Sequence, residues 1–235
     1  MSGTMISPEL RARVRGLMTP IAVGLGRLGL SPNALTVIGF LIACIAAVAA
    51  GLQAWLAAGI LVIFGGVFDL FDGALARATN RASKAGAFLD STFDRWGEGV
   101  VYIGIAIGCQ GSAFNLGAVL ATAAMLSSFM VSYTRARAES LGFAPGKGMA
   151  NVGLAPREVR LAILTAGLVL TGLVGTANPL LVLETWSLPF GIDLVRPWAG
   201  QVWLFWGLLL IAVLATVTTV QRIVATLRQA RASER

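Results

Sequence analysis

Hydrophobic residues run along this chain in six long blocks separated by polar breaks. A helix that crosses a bilayer needs about 20 mostly apolar residues. Blocks of that kind fall at Ala34–Ala54, Trp55–Phe71, Ala85–Cys109, Leu116–Tyr133, Val159–Ala177 and Val202–Ile223. The breaks "GLQAW" and "QGSAFN" are tight, whereas "RATNRASK" and "RARAESLGFAPGKGMANVGLAPREVR" are longer and polar. An earlier apolar stretch, "GLMTPIAVGLGRLGLSP", is short and interrupted by Pro20, Arg27 and Pro32, so it does not read as a secretory signal peptide. With Arg11, Arg13 and Arg15 ahead of it, it reads as an amphipathic helix lying on the membrane surface. The pattern predicts an all-α integral membrane protein, with six transmembrane helices preceded by an N-terminal amphipathic interfacial helix. It forms a single domain over 1–235: a juxtamembrane segment at 1–33 and a six-helix core at 34–228.

Composition agrees: 57% of residues are hydrophobic and 12% charged, which excludes an ordinary soluble domain. The net charge of +7 raises nucleic acid as a partner, but the basic residues flank the apolar blocks and carry no nucleic-acid motif. Anionic lipid headgroups or a phosphorylated substrate fit them better. Lys and Arg favour cytoplasmic loops. With the N-terminus cytoplasmic, 16 of the 18 fall on that side, leaving Arg95 inside a block and Arg196 in the opposite loop. The prediction is therefore a multi-pass protein of the cytoplasmic (inner) membrane with both termini inside and its active site on the cytoplasmic side. Trp186 and Trp198, in the opposite loop, fit an interfacial aromatic belt. Cys44 and Cys109 have no metal-ligand spacing and read as buried thiols. Gly65, Gly66, Gly73, Gly86, Ser127 and Ser128 suit close helix packing. A glycine beside a reactive carboxylate also leaves room for a ligand.

Against this background the segment "FDLFDGALARATNRASKAGAFLDSTFDRW" stands out, because an ionised Asp at mid-bilayer costs about 2.5–3.5 kcal/mol. Asp69 and Asp72 are spaced i, i+3 and Asp90 and Asp94 i, i+4, so each pair shares a helix face. On antiparallel neighbouring helices the four carboxylates converge near the cytoplasmic ends. Like charges so close require a compensating cation. Oxygen donors without His or thiolate select a hard divalent ion, Mg²⁺ or Mn²⁺, and two ions would offset four carboxylates in a site suited to phosphoryl transfer. The alternative at this point is that the aspartates cap helices or pair with Arg77, Arg81 and Arg95.

Read as spacing, the segment is Asp69-x2-Asp72-Gly73-x2-Ala76-Arg77-x8-Gly86-x3-Asp90-x3-Asp94. In this it resembles the CDP-alcohol phosphotransferase family. The resemblance implies an enzyme that moves the phosphatidyl group of a CDP-linked lipid, usually CDP-diacylglycerol, to an alcohol, with CMP leaving. It implies Asp69, Asp72 and Asp90 as metal ligands, and Asp94 as general base and fourth carboxylate ligand. Gly73, Ala76, Arg77, Ser83 and Gly86 would border the CDP moiety, as would Asn33 and Thr36 of "SPNALT". It also implies a homodimer.

The stretches "TPIAVGLGRLGLSPNALT", "VSYTRARAESLG", "APREVRL" and "VQRIV" resemble the inositol-phosphate-using members of that family from actinobacteria and archaea. The acceptor implied is an inositol phosphate, its phosphate held by Arg135, Arg137, Arg157 and Arg222, with Arg160 as a further candidate. Arginine's planar fork suits phosphate. Positive-inside anchoring is the alternative for any single one of these arginines. Glycerol 3-phosphate is the competing acceptor within the family. A membrane prenyltransferase would lack the Gly-x2-Ala-Arg-x8-Gly insert, and a divalent-cation transporter would carry acids through the midplane.

Overall fold

The computed structural model describes residues 8–112, 114–143, 152–175, 185–188, 192–195 and 200–233. Among these, seven helices follow in order: α1 (Pro8–Arg27), α2 (Pro32–Gly51), α3 (Trp55–Ala78), α4 (Lys84–Gly111), α5 (Asn115–Ser140), α6 (Arg157–Val174) and α7 (Gln201–Ser233). Each of the six apolar blocks is one helix, α2 to α7. Between α6 and α7 a short antiparallel hairpin, β1 (Thr185–Leu188) and β2 (Ile192–Val195), pairs from Thr185↔Val195 to Leu188↔Ile192. The architecture is all-helical as expected, the hairpin being two four-residue strands within one connection. Lys147, Arg196, Trp198 and Arg235 lie outside the described residues, as do the side chains of Arg11, Arg13, Arg15 and Trp186.

Local chemistry sets the helix boundaries. Ser31 caps α2, its side chain accepting from the Ala34 N–H at 3.1 Å, and Pro32 follows at the first helical position, where its missing N–H costs nothing. Ser83 caps α4 in the same way, accepting from the Gly86 N–H at 3.0 Å. The turn from α3 to α4 passes through Asn80 at φ 51°, a left-handed conformation that Asn tolerates better than most residues.

The six long helices close a ring. α2 packs on α3 and α4, α4 on α5, α5 on α7, α7 on α6, and α6 back on α3, while α1 lies against α3. Small residues permit a close approach of α2 to α4: a Cβ on Gly104 or Gly108 would run into the carbonyl oxygens of Ala47 or Ala50. Trp55, Tyr102, Ile105, Leu164, Leu204 and Ile211 fill the centre, and a second cluster of Ala22, Leu35, Phe71, Ala74 and Leu75 joins α1, α2 and α3. The outside is apolar as well, with Leu41, Ile45, Val48, Ile63, Phe64 and Ile107 exposed. A chain with an apolar core and an apolar outer face is a membrane protein.

Four helices, α2, α3, α5 and α7, are long and apolar enough to cross a bilayer by themselves. This is fewer than the six blocks suggest. From its start to just past its middle α4 carries Lys84, Asp90, Asp94, Arg95 and Glu98, and α6, with only 18 residues, opens on Arg157, Glu158 and Arg160. From these two helix beginnings Asp94, Glu98, Arg157 and Arg160 meet inside the ring, whereas Lys84 and Glu158 are exposed.

Candidate active site

Asp69 and Asp72 lie in the C-terminal half of α3, and Asp90 and Asp94 in the first half of α4. The helical repeat puts each pair on one face, and the ring turns both faces inward. The structure joins Asp69 to Asp94 through a third helix: Nη2 of Arg157, the first residue of α6, donates to Asp69 Oδ2 at 2.7 Å and stands 2.9 Å from Asp94 Oδ1. The other Asp94 oxygen, Oδ2, accepts from Arg95 Nη1 at 3.1 Å. Asp72 is buried, and its Oδ2 accepts from Thr36 Oγ1 at 2.6 Å. Asp90 is half-buried and has no hydrogen bond among the described residues. Of the arginines weighed as partners at the level of sequence, Arg77, Arg81 and Arg95, Arg95 alone pairs with an aspartate among the described residues, and the main partner of Asp69 and Asp94 is Arg157, which that alternative did not include.

Gly39 makes room for the Asp69 carboxylate and Gly73 for the exposed Arg77. A Cβ on Gly39 would sit 3.0 Å from Asp69 Oδ1, and one on Gly73 would sit 3.2 Å from Nη1 of Arg77. A cavity of about 40 Å³ lies beside the carboxylates, bordered by Thr36, Gly39, Asp69, Asp94, Glu98 and Arg157. One water needs about 10–15 Å³, so the cavity, which also runs along Phe40, Val62 and Leu164, has space for a few water-sized groups.

The residues expected at the CDP moiety gather nearby. The Gly86 backbone lies against both Ser83 Oγ and Asn33 Oδ1, a Cβ there meeting them at 3.2 and 3.4 Å. The start of α2, the end of α3 and the start of α4 therefore come together. Arg77, Ser83 and Asn33 are exposed on that surface, and Gly73, Ala76 and Gly86 are partly so. Thr36 differs from the rest, since it is buried and committed to Asp72.

The acceptor arginines divide. Arg135 is exposed and paired with Glu139 at 2.9 Å, and Arg137 is exposed in the last turn of α5. Arg222 is buried and donates to two backbone carbonyls, from Nε to Val152 O at 3.0 Å and from Nη1 to Val131 O at 2.5 Å. Arg160 is 1% exposed and fully engaged. Its Nε and Nη2 meet Glu98 Oε1 and Oε2 at 3.1 and 3.0 Å, and its Nη1 meets Ala155 O at 3.0 Å. The expected role of Arg160 at a phosphate gives way here to a bidentate tie between α6 and α4. Sequence reasoning missed that tie, although its signal was present: Glu98 is i+4 from Asp94, and Arg160 is i+3 from Arg157.

The donor chemistry fits a hard cation. The whole chain has no His, Cys109 is buried in the apolar core, and the carboxylates supply only oxygen. Among the described residues, however, no three carboxylates draw together into a cation cage. A guanidinium already supplies positive charge between Asp69 and Asp94.

The sequence pattern of the CDP-alcohol phosphatidyltransferase family matches residues 29–218, which include every carboxylate and capping residue of this site. The chain belongs to this family. Among its members, an archaetidylinositol phosphate synthase of Pyrococcus horikoshii is 40% identical over 156 residues, covering 66% of this chain and 78% of that one. A phosphatidylinositol phosphate synthase of Streptomyces avermitilis is 34% identical over 234 residues, 96% of this chain and 84% of that one. The fold is also similar to solved structures of the Mycobacterium tuberculosis phosphatidylinositol phosphate synthase. The form with CDP-diacylglycerol bound has a TM-score of 0.71 and 28% identity, covering 89% of this chain and 92% of that one. The form in complex with manganese and citrate has a TM-score of 0.70 and 29% identity, covering 89% and 88%.

Proposed function

We propose that this protein transfers the phosphatidyl group of CDP-diacylglycerol to a hydroxyl of an inositol phosphate and releases CMP, as a phosphatidylinositol phosphate synthase. The observation that carries the reading is the meeting of Asp69 and Asp94 on one nitrogen of Arg157. Asp72 and Asp90 lie one turn away on the same two helices, in a family with a relative solved both with CDP-diacylglycerol and with manganese.

Asp69, Asp72, Asp90 and Asp94 hold two divalent ions, Mg²⁺ or Mn²⁺. When bound, these ions neutralise the donor's diphosphate and the charge that develops on departing CMP. Asp94 accepts the proton of the attacking hydroxyl as the new oxygen–phosphorus bond forms and the bond to CMP breaks. Thr36 holds the Asp72 carboxylate in place, and Asn33, Gly73, Ala76, Arg77, Ser83 and Gly86 border the nucleotide. Arg135, Arg137, Arg157 and Arg222 take the acceptor's phosphate. The Glu98 tie of Arg160 supports a positioning role for that residue. The six long helices span the cytoplasmic membrane, α1 lies along its inner surface, both termini are cytoplasmic and two copies form a homodimer.

The test is lipid product analysis by mass spectrometry after incubating the purified protein with CDP-diacylglycerol, Mn²⁺ and either inositol phosphate or glycerol 3-phosphate. The reading expects the phosphoinositol lipid; a glycerophosphate lipid alone would move the chain to phosphatidylglycerol synthesis.

A further inference from the structure

Two arginines one helical turn apart at the start of α6 meet carboxylates of α4 in opposite ways. Arg160 meets Glu98 fork to fork, with its remaining nitrogen on a carbonyl, and is 1% exposed. Such bidentate pairs are the strongest and most directional available to a guanidinium. Arg157 uses a single nitrogen, Nη2, for both Asp69 and Asp94, and its buried Nε has no hydrogen-bond partner. A buried donor left unpaired is unfavourable, so this second contact is held by charge more than by geometry. Its side chain is 26% exposed and borders the cavity, which gives it somewhere to go.

From this contrast we infer that Arg157 is an exchangeable internal counterion: its guanidinium stands in for the divalent cation between Asp69 and Asp94 and leaves when the metal enters. Arg160 and Glu98 keep α6 in register while it does so. The metal and Arg157 then compete for the same two carboxylate oxygens, and loading the metal frees the Arg157 fork for a phosphate group. The inference rests on the proposed metal site and adds to it an order of events, metal before acceptor. An internal competitor lowers apparent affinity by the fraction of protein in which the site is open, so a site open in about one molecule in ten binds about tenfold more weakly than its intrinsic affinity.

The experiment uses the full chain in detergent with Mn²⁺ as probe. Isothermal titration of wild type and R157Q compares Mn²⁺ affinity, and R157Q is expected to bind about tenfold more tightly. In parallel, wild-type protein is treated with phenylglyoxal with and without Mn²⁺, and modification of each arginine is read by peptide mass spectrometry. This second arm does not require the variant to fold. Arg157 is expected to become several-fold more reactive when Mn²⁺ is present, while Arg160, locked to Glu98, stays protected in both conditions. Unchanged or weaker Mn²⁺ binding by R157Q, or equal protection of Arg157 with and without Mn²⁺, would overturn the exchange and leave the metal site standing. Wild type that binds no Mn²⁺ at all would overturn the metal site and the exchange together.

Discussion

Thr36 and Asp72 meet at 2.6 Å between the second turn of α2 and the end of α3, both side chains buried. That hydrogen bond joins the segment expected beside the nucleotide to a carboxylate expected at the metal, so the two halves of the site are mechanically one. The same hydroxyl also reaches Pro32 O at 3.2 Å, which ties the pair to the capped start of α2.

T36V keeps the shape of the side chain and removes the donor. A buried acceptor left without its partner costs about 1–3 kcal/mol. The expected result is a lower Tm in detergent and reduced turnover, both largely restored in T36S. Thermal denaturation followed by circular dichroism, together with a CMP-release assay, checks it.

Gly39 and Gly104 separate a site effect from a packing effect. A Cβ on Gly39 meets the flexible Asp69 carboxylate at 3.0 Å, whereas one on Gly104 meets the Ala47 backbone, which cannot move aside. G39A should displace the carboxylate and depress turnover and Mn²⁺ affinity at nearly native stability. G104A should overpack the α2–α4 contact, at a cost of about 1–3 kcal/mol. Comparing Tm and turnover for the two variants decides it.

Breaking the Glu98–Arg160 pair from one side leaves an uncompensated buried charge, a loss of about 3–5 kcal/mol. E98A is expected to be poorly folded. The double variant E98L/R160M, which removes both charges and keeps the volume, should regain most of the stability, and thermal melts of the single and double variants in the same detergent read the difference. Equal instability of both would mean that more than the charge pair is lost.

D94N should abolish turnover while leaving CDP-diacylglycerol binding within a few-fold of wild type, because the amide cannot accept the hydroxyl proton and the nucleotide contacts lie elsewhere. Parallel binding and turnover assays check this; near-normal turnover would remove Asp94 as the base.

Much of this was legible in the chain. All six apolar blocks became helices, and for α2, α3, α5 and α7 length and hydropathy suffice to cross a bilayer, where a helix satisfies its own backbone; the helical repeat puts each aspartate pair on one face. Ser83 and Gly86 fell near Asn33, a proximity in keeping with the family resemblance that set all three beside the CDP moiety. Less legible was everything that depends on one helix meeting another. The sequence offered five arginines near the cytoplasmic end, and positive-inside anchoring, phosphate binding and ion pairing all favour the same residue there. Only the packing of α6 on α3, with its arginines reaching α4, separates Arg157, on the carboxylates, from Arg160, on Glu98. The hairpin at Thr185–Leu188 and Ile192–Val195 was hidden for another reason: its strands have four residues each, too short for an alternating pattern to register.

The most direct test of the whole account is CMP release by the purified protein from CDP-diacylglycerol, measured with and without Mn²⁺ and with and without inositol phosphate. The account predicts release only when metal and inositol phosphate are both present. Release that ignores the metal, or that needs no inositol phosphate, would contradict it.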